Sequence, residues 1–386
     1  MRSAGRREHV FLASLLWTDL WIVQQPMCWE IGHEEPVLFV ERFVSFATVL
    51  RYPYLWRRLF AWLKGVRSLG EGVSALAPLP LFHLGHRFPW LFRVEYKLQS
   101  LWLRWHLRRW SRGLSRVLWI DSPMYSRAVG TLDEDVSIYY VADEFAAFST
   151  SHRQSAEILE REVLEKVDLV FVASERLSRD RRSLHPRVTI VLNAIDAKAY
   201  VDLPQRPVSD LEGVRAPRVL LVGVIDTWVD VEFLEKVTEL VPEVQFVVVG
   251  PVRTPVEGLR HRTNVHWFGR RERGTIPHLL ASGSASLVPF RRSPLTARTL
   301  PLKVFEALAA GVKPICTDFS DDLHQLRQDG LIDIASTPES YAAAIRKAVA
   351  EDGDRIRGHL SAFGRSQTWA ARWQQARVVI DRMSGG

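Results

Sequence analysis

Short apolar, β-branched runs alternate with amphipathic stretches along almost the whole chain, the pattern that parallel α/β sheets impose. In the first half the runs predict strands at Val10–Leu15, Val37–Val40, Arg116–Ile120, Ile138–Val141, Leu169–Ala173 and Val188–Leu192. A proline-bearing polar linker follows at Asp202-Leu203-Pro204-Gln205-Arg206-Pro207. A second series then predicts strands at Arg218–Val224, Gln245–Val249, Val265–Phe268, Ala285–Val288 and Pro314–Thr317. Two such series imply two Rossmann-like domains of the α/β class. The expected bounds are 1–201 for the first domain and 208–365 for the second. The last amphipathic stretch, Trp369–Arg382, carries Trp373 and Val378 and has no strand after it.

Composition narrows the class. Of 386 residues, 47% are apolar and 25% charged, the balance of a soluble globular protein of two to three domains by length. Cys28 and Cys316 lie far apart and form no metal spacing, so a reducing cytosol is the expected compartment. No run of 18 apolar residues occurs, so no transmembrane helix is expected. The net charge of +7 is regional: residues 51–116 hold 13 Lys/Arg against Glu71 and Glu95, among 13 aromatics of which six are tryptophan. Within that region, 92–112 reads as a helix with a basic stripe at Arg93, Lys97, Arg104 and Arg108. Val94, Leu98, Leu101 and Trp105 flank the stripe on one side, and Tyr96, Leu103, Leu107 and Trp110 on the other. Such a surface suits an anionic membrane or a polyprenyl diphosphate. The N-terminal Arg2, Arg6 and Arg7 read as a basic tail entering the first strand.

The densest chemistry lies in Pro301-Leu302-Lys303-Val304-Phe305-Glu306-Ala307-Leu308-Ala309-Ala310-Gly311. Proline suits a helix start and glycine its end. At 100° per residue Lys303, Glu306, Ala307 and Ala310 share a face, while Val304, Phe305 and Leu308 point to the core. A lysine in the first turn attracts phosphate, and a carboxylate one turn on can accept from two adjacent hydroxyls such as those of a ribose. Together they make a seat for a nucleoside diphosphate. Neither G-x-G-x-x-G nor G-x-x-x-x-G-K-[ST] occurs at a strand end, which disfavours NAD enzymes and P-loop NTPases.

This stretch resembles the donor-binding helix of GT-B glycosyltransferases, in the broad group related to family 4. The resemblance extends to the bacterial polysaccharide enzymes of the teichuronic-acid type and to the xanthan glucuronosyltransferase. Other segments match in the same order: Leu16-Trp17-Thr18-Asp19, Val37–Glu41, Ile138–Phe145, Asp168–Glu175, Asn193-Ala194-Ile195-Asp196, Val222-Gly223, Val249-Gly250-Pro251, Asn264-Val265 with Gly269, and Val288-Pro289-Phe290. The resemblance implies a GT-B fold with the C-terminal helix (366–386) crossing back to complete the first, acceptor-binding domain.

It also implies transfer of a sugar from a nucleoside-diphosphate sugar, UDP the expected nucleotide, to an acceptor hydroxyl. The acceptor expected is a lipid-linked glycan of cell-surface polysaccharide assembly. A soluble natural product, or glycan binding without turnover, are the alternatives. The donor would be held by Lys303, Glu306, backbone near Gly223, Gly250 and Gly269, and Arg291 or Arg298 in the preceding loop, with Arg292 beside them. No cofactor and no metal are expected, since a clustered D-x-D is lacking. Retaining relatives carry a second glutamate where this chain has Arg298, and many carry cations where it has Gly223-Val224-Ile225-Asp226-Thr227-Trp228. An inverting transfer would need a general base. Asp143 leads, followed by Glu144 and Asp121, with Asp19 and His33 as alternatives. Nucleic acid is not expected, because a nucleotide donor already accounts for the anion chemistry. The expected location is cytoplasmic, at the inner face of the plasma membrane.

Overall fold

The computed structural model describes residues 3–18, 23–43, 53–80, 89–144, 153–203, 211, 213–351 and 353–384. Asp19 and most of the linker lie outside the described residues. Two compact units emerge: Met1–Ala173, Leu177–Val191 and Arg372–Gly386 form the first, Ser174–Arg176 and Leu192–Ala371 the second.

The first unit is built on an eight-stranded sheet in the order β3-β4-β2-β1-β5-β6-β7-β8. Its strands are β1 Ser3–Leu12, β2 Val37–Val40, β3 Val66–Gly70, β4 Val73–Leu76, β5 Leu114–Ile120, β6 Val136–Val141, β7 Leu169–Val172 and β8 Val188–Ile190. All neighbours run parallel except the β3–β4 pair. The order reverses between β1 and β5, which pair in register from Arg7↔Ser115 to Leu12↔Ile120. The central strands β2, β6 and β7 are buried along their whole length, as expected of a parallel sheet covered on both faces.

Of the expected basic tail, Arg6 and Arg7 are instead part of β1, and Arg2 lies outside the described residues. Arg7 is buried and pairs with Glu35 at 3.1 Å and Asp381 at 2.6 Å. His9, also buried, bonds Glu35 through Nε2 at 2.5 Å and accepts from Trp119 Nε1 at 3.0 Å on Nδ1. Accepting at Nδ1 requires the neutral tautomer with its proton on Nε2. Trp373 meets the His9 ring edge-on at 5.4 Å. Trp373 and Asp381 belong to the helix Trp369–Ser384, so the last helix packs on the first strand. The resemblance implied that return.

The second unit carries a six-stranded parallel sheet in the order β11-β10-β9-β12-β13-β14. Here β9 is Arg218–Val222, β10 Gln245–Val249, β11 Val265–Gly269, β12 Ala285–Val288, β13 Lys313–Cys316 and β14 Asp333–Ile334. The order reverses between β9 and β12. Open α/β sheets bind ligands outside the strand ends at such a reversal. Val219, Leu220, Val247, Val288 and Ile315 are all at or near zero exposure along these strands. Each such side chain contributes roughly 1.5–3 kcal/mol by leaving water.

Candidate functional site

The helix predicted from the proline–glycine frame spans Leu302–Ala309, with Pro301 as its N-cap. Gly311 ends it at φ +75°, donating to Leu308 O at 2.8 Å, while Val312 donates to Ala307 O at 2.9 Å. This pair of bonds is the Schellman arrangement, which needs a left-handed residue that glycine supplies at least cost. Val304, Phe305, Ala307 and Leu308 are buried. Lys303 and Glu306 stay half-buried on the other side, as their spacing requires.

Lys303 reaches the end of β9. Gly223 stands there at φ +117°, and a Cβ on it would lie 3.0 Å from Lys303 Nζ. Gly223 donates to Val249 O at 2.8 Å, and Gly250 donates to Gly269 O at 2.8 Å. A Cβ on Gly250, at φ +144°, would strike Gly223 O at 1.9 Å. The three glycines thus form one bare backbone ledge across the ends of β9, β10 and β11. The ammonium sits over its near end and 4.8 Å from the centre of the Phe290 ring.

The electrostatics fit a group waiting for an anion. Burial lowers the Lys303 pKa to about 8, against the pull of Glu306 and Cys316 to raise it. Burial raises Glu306, opposed first by Arg273 and then by Lys303. A diphosphate beside Nζ would restore the charge that burial weakens. Arg273 is the cation sequence reasoning missed. It sits in a short 3-10 turn after β11, Arg273–Thr275, where nothing in local spacing ties it to Glu306.

The loop arginines are placed differently. Arg291 pairs with Asp230 at 3.3 Å, Arg292 with Asp321 at 2.8 Å, and Arg298 donates to Pro294 O at 3.0 Å. Thr296 Oγ1, bonded to Arg291 O at 2.5 Å, holds this loop in a fixed shape.

In the first unit, Asp121 follows β5 at the reversal point of the sheet. It accepts from Ser14 N at 2.9 Å, Ser14 Oγ at 3.0 Å and Gln24 Nε2 at 2.9 Å. Burial nevertheless raises its pKa to about 6. Glu144 lies 3.6 Å from the buried Arg181, which also pairs with Glu160 at 2.6 Å. Asp143 is exposed at the end of β6. His33 pairs with Glu71 at 3.2 Å on the surface. Among the described residues no group of three or more His, Cys, Asp or Glu is placed to hold a metal ion.

Two units whose parallel sheets each reverse order, with the last helix returned to the first, define a GT-B architecture. Solved structures share it. Sucrose-phosphate synthase from Thermosynechococcus elongatus aligns with a TM-score of 0.68 at 14% identity, over 98% of this chain and 99% of that one. Anabaena Alr3699/HepE, in complex with UDP-glucose, aligns at 0.65 and 14% over 97% and 99%. WaaG, a glycosyltransferase involved in lipopolysaccharide biosynthesis, aligns at 0.62 and 15% over 98% and 100%.

Residues 216–351 match the family model of glycosyl transferases group 1. Over 278 residues the chain is 23% identical to a teichuronic acid biosynthesis glycosyltransferase, TuaH of Bacillus subtilis strain 168, described as putative. That match covers 67% of this chain and 70% of the relative. The fold is therefore GT-B, residues 216–351 resemble a group 1 glycosyl transferase domain, and the chain is similar to an enzyme of the teichuronic-acid type.

Proposed function

We propose that the protein transfers a sugar from a UDP-sugar to a hydroxyl of a lipid-linked glycan in cell-surface polysaccharide assembly, at the inner face of the plasma membrane. The observation that carries the donor half is Lys303 Nζ set over the bare Gly223 ledge at the sheet reversal. The departing nucleotide gains negative charge in the transition state, and a cation held in a half-buried, rigid setting stabilises it without reorganisation. Lys303 does this directly and Arg273 adds its field, so the transfer proceeds without a metal ion. Glu306, one turn along the helix from Lys303, accepts from the ribose hydroxyls. HepE is described in complex with UDP-glucose, and the Staphylococcus aureus enzyme TarM with UDP; both support UDP as the nucleotide. The resemblance to a teichuronic acid enzyme supports the acceptor class.

Of the three first-unit carboxylates, Asp121 suits a proton acceptor better than Asp143 or Glu144. It stands at the reversal point of its sheet, and it titrates near neutrality, where a general base works best. Glu144 is already held by Arg181.

Thermal-shift binding tests the donor site, with UDP, GDP and their glucose conjugates against wild type, Lys303→Ala and Glu306→Ala. A ligand at ~100 times its dissociation constant should stabilise wild type by roughly 2.7 kcal/mol. Stabilisation by a uridine ligand in wild type alone is the expected result. Equal binding by both variants, or none by wild type, overturns the assignment and moves the protein toward glycan binding without turnover.

A further inference from the structure

The helix Pro89–Trp110 is apolar on two flanks, and the fold uses only one of them. Leu103 and Leu107 are buried in the first unit's core. Val94, Leu98, Leu101 and Trp105 recur every three or four residues, so they form one continuous face about 16 Å long. That face is left outside, at 44–58% exposure. The 3-10 helix Pro53–Lys64 exposes Trp56, Phe60 and Leu63 in the same way. The two stretches meet where a Cβ on Gly65 would lie 3.7 Å from His106. There Val66, Trp105, His106, Arg109 and Trp110 line an open pocket of about 400 Å³. Among the described residues, seven of the thirteen large apolar side chains left exposed lie on these two stretches. Single exposed apolar residues need no explanation, but a cluster of this kind marks a contact surface.

The charge around the cluster selects the occupant. Lys64, Lys97, Arg108 and Arg109 are all exposed along its edges. A second copy of the chain, docked face to face, would set these cations against one another. A bilayer with anionic lipids offers hydrocarbon to the leucines, the interfacial zone to the indoles, and phosphate to the cations. The guanidinium of Arg109 lies 3.8 Å above the Trp105 ring at the pocket wall, where it can meet a lipid phosphate while the indole stays at headgroup depth. We infer that this face seats the protein on an anionic membrane, with the pocket taking a lipid headgroup. The inference rests on the proposed reading only in that a lipid-linked acceptor would be presented at such a surface.

Flotation of the full chain with vesicles tests it, using phosphatidylcholine alone and phosphatidylcholine mixed with phosphatidylglycerol. Wild type should float with the mixed vesicles and not with the neutral ones, and added salt should weaken binding. The double variant Leu98→Ser, Leu101→Ser should bind about tenfold more weakly. Ile158→Ser with Leu184→Ser, exposed apolar residues elsewhere in the same unit, should bind as wild type. UDP-induced thermal shifts on every variant report the fold and the donor site separately. Retained UDP binding with no flotation defeats the membrane face and leaves the donor reading standing. Unchanged flotation of the leucine variant also defeats it, because charge alone would then hold the protein. So does lipid-free dimerisation that the leucine substitutions abolish.

Discussion

The two units spend charge in opposite ways. Among the described residues, every fully buried Arg, Glu or His lies in the first unit: Arg7, Glu8, His9, Glu35, Glu41, Arg116, Arg181 and His185. Arg7, His9 and Glu35 pair with one another, as Arg116 does with Glu8 at 2.7 Å, while Arg181 pairs with Glu160 and His185 bonds backbone carbonyl oxygen. The second unit buries only neutral polar groups such as Asn264, Thr238 and Ser286, and sets Lys303 and Glu306 half-buried at strand ends. A charge near a strand end of the first unit can therefore serve the fold instead of chemistry. Glu144 shows the difference, for it is a strand-end carboxylate that serves a buried arginine.

Breaking the buried network should have the largest effect. Glu35→Gln leaves Arg7 and His9 without their shared carboxylate, and removing one partner of a buried pair costs about 3–5 kcal/mol. Chemical denaturation should show that loss, and a change below about 1 kcal/mol would mean the first unit's buried charges are not structural. Gly223→Ala should cost less, about 1–3 kcal/mol for a side chain forced to a positive φ. Its Cβ would also crowd Lys303, so UDP affinity measured by calorimetry should fall with stability.

The smallest effect sharpens the contrast most. Lys303 has its pKa lowered to about 8, so above that value the folded state holds fewer protons than the unfolded chain. Stability contributed by this group should then rise with pH, from about 8 toward the ordinary lysine range near 10.5. UDP affinity should fall over the same range, by up to about tenfold per pH unit, because the neutral amine cannot pair with phosphate. Parallel denaturation and calorimetry should show these opposed slopes, and Lys303→Met should flatten both. Slopes of the same sign would sever Lys303 from the donor.

Much of the second unit is legible from sequence because strands such as Arg218–Val222 and Gln245–Val249 are apolar over most of their length and the helix Leu302–Ala309 is framed by Pro301 and Gly311. The strand pair Val66–Gly70 and Val73–Leu76 is not, since Val-Arg-Ser-Leu-Gly carries no two-residue alternation and sits at a sheet edge. Periodicity also cannot say which apolar flank of the helix Pro89–Trp110 faces the core. Both flanks have the right spacing, and only packing of Leu103 and Leu107 decides. Arg7 misleads for a related reason, because its carboxylate partners at 35 and 381 are invisible to local pattern. Arg273 is hidden likewise, by a separation in sequence from Glu306 that only the sheet order closes.

The return of the last helix has a consequence for how the protein is made. His9 leaves the ribosome ahead of the stretch Leu192–Ala371, yet its aromatic neighbour Trp373 emerges after it. At 5–20 residues per second, the stretch from Leu192 to Ala371 takes roughly 10–40 s to synthesise. For that interval the nascent first unit has an uncovered seam along β1. The order of synthesis therefore leaves the first unit to be sealed only after the chain of the second has been made.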